Sequence, residues 1–266
     1  MDESTARTGR KWVAFAAVLA LIPAVPIVVA VVLGARSVRA ETVSGDSYRP
    51  VAPAPPATPA KPTSSLPAGS GAVVAIVRKT TSMRSAPDGP RLARIGTRTT
   101  FNSPQVVWVV RESGNWLGVV SSDAGNGRIG WIERSVTSLG RVPWELRVSL
   151  GARRLTVIDD GQTVKRFTVA VGRPSAPTPT GRFAVTDRLQ TGDPNGPYGC
   201  CILALSARSP HEIEGWNGGD RIAIHSTPET GSIGLPVSHG CLRLTLAEGR
   251  WLLDHVPLGT PTIITA

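Results

Sequence analysis

The chain has 266 residues, of which 23 are Pro, 28 are Gly and only 18% are charged, and its formal net charge is +10. This length is enough for two modest domains with their own cores, and the Pro and Gly content disfavours an architecture of long helices. The positive charge favours acidic partners, but the arginines are scattered rather than gathered in a basic run, which argues against nucleic-acid binding.

The first apolar segment, residues 12–35, contains 24 consecutive residues without a charge. A helix of that length spans about 36 Å, because each residue adds about 1.5 Å, and this is enough to cross a bilayer. We therefore predict a tail at 1–11 and a transmembrane helix at 12–35. The alternative is a secretory signal cleaved after Ala40, since small residues surround that position.

Residues 36–71 are rich in Pro, Ala, Ser and Thr, with seven prolines between positions 50 and 67. This composition has too little apolar bulk for a core and predicts a semi-rigid, extended linker. Such a spacer suits a domain that works at a distance from its membrane. The same composition would also serve as a generic disordered connection.

From residue 72 the pattern changes to short apolar runs separated by turn sequences such as Ala86-Pro87-Asp88-Gly89. Short, closely spaced strands are typical of a small barrel or sandwich. The predicted strands are 72–77, 106–110, 116–120 and 130–132.

The run from Arg111 to Val119, followed by Gly130-Trp131-Ile132, resembles bacterial SH3-like modules. We therefore predict an SH3-like domain at 72–143. Its tryptophans are expected either to fill the barrel core or to line a ligand groove. These residues are Trp108, Trp116 and Trp131.

A larger unit, residues 144–266, is also mainly β. Its predicted strands are 146–150, 155–158, 165–171, 183–186, 202–206 and 222–225, with a closing strand within 258–264. One short helix is predicted, because Thr245 and Glu248 have the spacing of a capping box and an apolar face follows them. Pro257 ends that helix.

Cys241 and His225 are the candidate catalytic pair in a chain with three cysteines and four histidines. A thiol with a free pKa of about 8.5 is only a few per cent thiolate at neutral pH, so a nucleophilic cysteine needs a base nearby. Alternation places Ala223 and His225 on the strand face opposite Ile222 and Ile224. We predict that Cys241 is a nucleophile and His225 its base.

Several neighbours complete this predicted site. His239 is a rival base, because residues two apart in an extended segment point the same way. The N–H groups of Gly240 and Cys241 are predicted to bind an oxyanion, and the carbonyl of Ser226 to fix the imidazole tautomer. Arg243 offers a fork of donors to a substrate carboxylate, or else a structural contact.

The adjacent cysteines Cys200 and Cys201 form either a strained ring, free thiols or intermolecular bonds. A metal site built from these two residues and His211 matches no familiar ligand spacing. We predict no metal and no cofactor for this chain.

The runs Ile224-His225-Ser226-Thr227 and Ser238-His239-Gly240-Cys241-Leu242-Arg243 resemble the signature of YkuD-type L,D-transpeptidases. The usual elements of that signature are Ile-His-Gly-Thr and Ser-x-Gly-Cys-x-Arg, so Ser226 stands where glycine is common. The likeness extends to 171–172, 178–183 and 256–261 and covers essentially residues 146–266. It implies a β-sandwich catalytic domain at 144–266, in which we place Ser238 and Arg243 among the substrate-binding residues.

The resemblance implies that Cys241 attacks the bond before the terminal D-Ala of a peptidoglycan tetrapeptide stem. D-Ala leaves, and the amine of an acceptor stem then resolves the thioester into a 3→3 cross-link. Carbapenems are expected to acylate the thiol. The anchor would be single-pass, with a cytoplasmic tail and the catalytic domain outside the cytoplasm at the cell wall.

Three other functions stay open at this point. An L,D-carboxypeptidase and a wall-attachment transferase share the same acyl-enzyme half-reaction and differ only in the acceptor. A peptidoglycan-binding scaffold with weak catalysis is the third, and the serine at position 226 keeps it open.

Overall fold

A computed structural model describes residues 49–50, 69–210 and 219–266. The predicted tail, the predicted membrane helix and most of the predicted linker lie outside these residues. Within them, no helix has both the length and the apolar character that a membrane crossing requires. The described chain is mainly β, as predicted, and both of its large sheets belong to one compact unit.

The strands are numbered in chain order. The two-residue strand β1 (Arg49–Pro50) falls within the predicted linker. The first large sheet contains seven antiparallel strands in the spatial order β4-β3-β7-β6-β5-β2-β8. These strands are β2 (Ala72–Val77), β3 (Thr81–Arg84), β4 (Arg91–Ile95), β5 (Val106–Ser113), β6 (Trp116–Val120), β7 (Gly130–Glu133) and β8 (Thr137–Val142).

The first sheet buries its own core, which includes Met83, Ile95, Leu117 and Ile132. Trp108 is also buried, but it packs against Val120 and Ala184 and so joins the first sheet to the second. The other two tryptophans, Trp116 and Trp131, are only partly buried.

The second large sheet has the spatial path β11-β10-β9-β18-β13-β14-β15-β17, with β1 beside β13. A separate parallel pair joins β12 to β16. The elements are β9 (Trp144–Ser149), β10 (Arg154–Asp159), β11 (Gln162–Thr168), β12 (Val171–Gly172), β13 (Gly181–Gln190), β14 (Cys201–Arg208), β15 (Arg221–Ser226), β16 (Pro236–Ser238), β17 (Leu242–Leu244), α1 (Leu246–His255) and β18 (Pro261–Thr265). Short 3-10 turns lie at Arg134–Val136 and Thr230–Ser232.

Local sequence patterns located many of these elements. The bounds of β2 and β6 are those predicted, and the capping box of α1 is present, because Thr245 and Glu248 exchange side-chain-to-backbone hydrogen bonds. The prediction of one strand at 165–171 was wrong. The strand ends at Thr168, and Val171 and Gly172 pair instead with β16.

The central strands β14, β15 and β17 present two different faces. On one face Leu203, Ile224 and Leu242 join the main core, together with leucines of α1. On the other face Ala223 and Cys241 belong to a smaller cluster, defined by Leu189, Tyr198, Ile202, Ala223 and Cys241. We call this second surface the small-residue face.

Candidate active site

Cys241 lies on the small-residue face, directly before β17. Because β15 and β17 are parallel and pair Ile224 with Leu242, Cys241 lies beside Ala223. The N–H of Ala223 donates a hydrogen bond of 3.4 Å to the Cys241 Sγ. The side chain is buried, with 5% of its surface exposed. Among the described residues, Cys241 is the cysteine that does not belong to a disulfide.

His225 lies on the same face of β15, two residues after Ala223, and only 2% of its surface is exposed. Strands lie about 4.8 Å apart and rise about 6.6 Å over two residues, so the backbones of His225 and Cys241 are about 8 Å apart. Side chains directed along one face can meet across that distance. The ring of Tyr198 packs edge-on against the imidazole, with the ring centroids 4.9 Å apart.

The tautomer of His225 follows from its hydrogen bond. Its Nδ1 lies 2.8 Å from the carbonyl oxygen of Ser226. A carbonyl oxygen only accepts, so Nδ1 carries the proton and Nε2 keeps its lone pair. This is the tautomer that a general base requires, and it is the contact that the sequence predicted for Ser226.

Burial dominates the electrostatics of both groups. It raises the pKa of Cys241 to about 11, against the hydrogen bond from Ala223 and the charge of Arg243, which both lower it. It also lowers the pKa of His225 to about 4, where the Ser226 hydrogen bond opposes the shift and Arg243 adds to it. At neutral pH the site therefore holds a thiol and a neutral imidazole rather than an ion pair.

The segment that carries the thiol has a tight backbone. Gly240 has a φ of +117°, and a Cβ there would lie 2.8 Å from Ile222 Cδ1, so the position requires glycine. The Gly240 N–H donates to Ser238 Oγ at 3.1 Å, and the Ser238 hydroxyl donates to the Cys241 carbonyl at 2.6 Å. The Gly240 N–H is therefore engaged within the segment, and its role in binding an oxyanion stays a prediction.

Thr178 braces this segment from outside and was not among the predicted site residues. Its buried hydroxyl donates to the Gly240 carbonyl at 2.8 Å and accepts from the Gly172 N–H at 2.9 Å. A Cβ at Gly172 would lie 2.4 Å from the Thr178 nitrogen, so these two segments are in direct contact. The family resemblance at 178–183 contains Thr178 and is the sequence signal from which its role could have been inferred.

Arg243 and His239 differ in what they offer to a substrate. The Arg243 Nε is buried and has no hydrogen-bond partner within the described residues. Its NH1 lies 3.5 Å from the carboxylate of Glu229, whose side chain is 75% exposed, so this ion pair is weak. His239 is exposed, in contrast to the buried His225. The roles assigned to these residues and to Ser238 remain predictions.

Ser226 connects the candidate base to the two remaining cysteines. Its buried hydroxyl accepts a hydrogen bond of 3.1 Å from the Cys201 N–H and lies 3.4 Å from the Cys200 Sγ. Cys200 and Cys201 form a disulfide with each other, which settles the pairing that the sequence left open. His211, the third residue of the metal alternative, lies outside the described residues.

Comparison with known proteins places this site in a family. Residues 143–264 match the YkuD family, described as an L,D-transpeptidase catalytic domain. The YkuD proteins of Bacillus subtilis and Bacillus licheniformis, named as L,D-transpeptidases, are each 33% identical to this chain over 123 and 124 residues. The aligned regions cover 46% and 47% of this chain, and 66% and 67% of the respective relatives.

A solved structure of an L,D-transpeptidase from Mycobacterium smegmatis is also similar to this chain. It matches with a TM-score of 0.38 and 21% identity, over 70% of this chain and 100% of the other. The chain spans about two thirds of the length of the two Bacillus relatives.

Proposed function

Because the chain belongs to the YkuD family of L,D-transpeptidases, we propose that it is a cysteine acyltransferase that joins peptidoglycan stem peptides through 3→3 cross-links. The observation that carries the proposal is the arrangement on the small-residue face. The Cys241 thiol lies beside Ala223, and the His225 imidazole, two residues further along β15, is held by Ser226 with Nε2 unprotonated.

The first half-reaction acylates the enzyme. As the Cys241 sulfur bonds to the carbonyl carbon of the third residue of a donor stem, the thiol proton passes to His225 Nε2. The carbonyl oxygen becomes an oxyanion held by backbone N–H groups of the 238–241 segment. When the tetrahedral intermediate collapses, the C–N bond breaks and the imidazolium gives its proton to the departing amine of D-Ala.

The second half-reaction releases the product. The side-chain amine of an acceptor stem attacks the thioester and loses a proton to His225. The C–S bond breaks and the thiol is reprotonated, which restores the starting state. Arg243 supplies donors for a stem carboxylate, since its Nε has no other hydrogen-bond partner within the described residues.

Burial determines when the thiolate forms. A thiol with a pKa of about 11 and an imidazole with a pKa of about 4 do not exchange a proton in the free enzyme. Proton transfer is therefore coupled to attack on the bound carbonyl, because the negative charge passes from the sulfur to the carbonyl oxygen as the S–C bond forms. The free thiol is correspondingly protected from unproductive reactions.

Two further parts of the chain belong to this proposal. Residues 72–143 act as an SH3-like domain, which the seven short antiparallel strands between 72 and 142 support. The charge-free residues 12–35 anchor the chain in the membrane by a single pass, with the catalytic domain outside the cytoplasm at the cell wall. The proline-rich segment 36–71 joins the two parts, with residues 49–50 paired to β13.

The test is to incubate the purified chain with a disaccharide-tetrapeptide and to identify the products by mass spectrometry. We expect a dimer that lacks one D-Ala, and a carbapenem should add its mass to Cys241. Cys241→Ala should form neither product. The matched control, Cys200→Ser with Cys201→Ser, removes the disulfide of the other two cysteines and should keep the acyl-enzyme. Turnover by Cys241→Ala would refute the proposal, and tripeptide without dimer would identify a carboxypeptidase.

A further inference from the structure

A loop of the first sheet, residues 96–105 between β4 and β5, reaches the second sheet. The loop is held in shape by its own backbone: the Thr99 N–H donates to Ser103 O at 2.9 Å, and the Gln105 N–H donates to Thr97 O at 2.9 Å. The Asn102 N–H donates to Thr99 O at 3.1 Å. These backbone hydrogen bonds hold the loop in one defined conformation.

Thr99 attaches this loop to the second sheet. Its hydroxyl donates to the carboxylate of Asp187, which is fully buried on β13. The other oxygen of Asp187 lies 3.8 Å from the buried guanidinium of Arg221 and has no hydrogen-bond partner within the described residues. Because a buried carboxylate is costly without donors, the Thr99 hydroxyl fixes the position of the loop.

Phe101 lies two residues further along the same loop. Its partly buried side chain packs against the cluster that contains Tyr198, Ala223 and Cys241. The pairing registers place Asp187, Ala204 and Ala223 in one row across the sheet. The loop therefore contacts this face at Asp187 through Thr99 and at the thiol cluster through Phe101.

Ala204 and Ala223 are fully buried in this row, and the cluster that Phe101 borders contains Cys241. Part of the Phe101 side chain stays exposed, so an acyl group bonded to Cys241 would lie near its ring. We propose that Phe101 forms a wall of the donor site and contacts the aliphatic part of the bound stem. The first sheet would then supply a specificity-determining residue to the active site of the second. This inference rests on the proposed function for the identity of the ligand.

The test uses the full chain and three variants. Phe101→Ala should raise KM for the tetrapeptide donor about tenfold and change kcat by less than about twofold, since the lost contact is to the substrate and not to the reacting atoms. Phe101→Leu should recover part of the affinity. The matched control, Leu92→Ala, truncates a partly buried side chain that packs against the first sheet's own core. It should lower the melting temperature without changing KM.

Two further measurements separate this inference from its alternatives. Alkylation of Cys241 by iodoacetamide, which needs no donor pocket, should change less than about twofold in Phe101→Ala. The dissociation constant of the tetrapeptide for Cys241→Ala should rise about tenfold when Phe101→Ala is added. An unchanged constant, or an equal rise in Leu92→Ala, would overturn the inference. If the wild type binds but does not turn over the donor, the proposed function fails and the binding measurement still decides the role of Phe101.

Discussion

The two faces of β14, β15 and β17 show how one sheet serves both folding and chemistry. Toward α1, the strands bury Leu203, Ile224 and Leu242 in the main core, and each such side chain stabilises the fold by about 1.5–3 kcal/mol. The opposite face carries alanines around Cys241 and His225. Burying these two titratable groups costs stability, which the large side chains behind them offset. The small-residue face thus carries the reacting groups, and the other face holds the strands rigid.

The largest effect on the chemistry of the small-residue face is expected when the base is removed. His225→Ala should lower the rate of acylation by about 10²–10⁴-fold, because general-base catalysis is worth about that much. The exposed His239 does not belong to the buried cluster, so His239→Ala should lower the rate less than about tenfold. The measurement is single-turnover formation of the acyl-enzyme, followed by mass spectrometry.

The opposite ranking of these two variants would show that His239, and not His225, is the base. Melting temperatures close to that of the wild type would exclude unfolding as the cause of either effect.

A second effect concerns stability and pH. The pKa of His225 is lowered to about 4 in the folded state, so between pH 6.5 and 4 the unfolded chain binds a proton that the folded chain does not. The free energy of unfolding therefore falls by on the order of 3 kcal/mol as the pH falls from 6.5 toward 4, and this loss is absent above pH 6.5. For Cys241 the pKa is raised to about 11, so stability should also fall as the pH rises from about 9 to 11.

Urea unfolding of the wild type and of His225→Gln, measured from pH 7 to pH 4, isolates the histidine from the carboxylates. The variant should lose less stability toward acid than the wild type does. Parallel curves for the two proteins would mean that His225 is not buried as a neutral group.

Local pattern predicted the site pair but not its surroundings. The alternation in residues 222–225 placed His225 on the face opposite the isoleucines, because a strand's side chains alternate whatever the tertiary fold. Among the strands that were not predicted are β3, β4, β8 and β17, although the equally short β6 and β7 were, so length alone does not decide which strands a local pattern reveals.

The loop contact between Thr99 and Asp187 joins residues 88 positions apart, and no local pattern encodes it. A register shift between Val185 and Asp187 also changes which side chains of β13 face the site. Tyr198 is a similar case: it lies in a turn-rich segment without periodicity, and only the fold brings its ring against His225. Contacts of this kind depend on topology and register, which sequence spacing alone does not fix.

The smallest effect is expected when the side chain of Ser226, where the family commonly has glycine, is truncated and its backbone carbonyl is kept. Ser226→Ala removes the acceptor of the Cys201 N–H and should cost about 1–2 kcal/mol of unfolding free energy. The carbonyl that orients His225 is retained, so kcat/KM should stay within about threefold. The matched control is Ser206→Ala, which removes a buried acceptor of the Ala184 N–H. It should show a similar loss of stability and no change in rate. If Ser226→Ala slows acylation more than tenfold beyond this control, the hydroxyl itself orients the imidazole, and the serine is part of the catalytic machinery rather than a tolerated replacement for glycine.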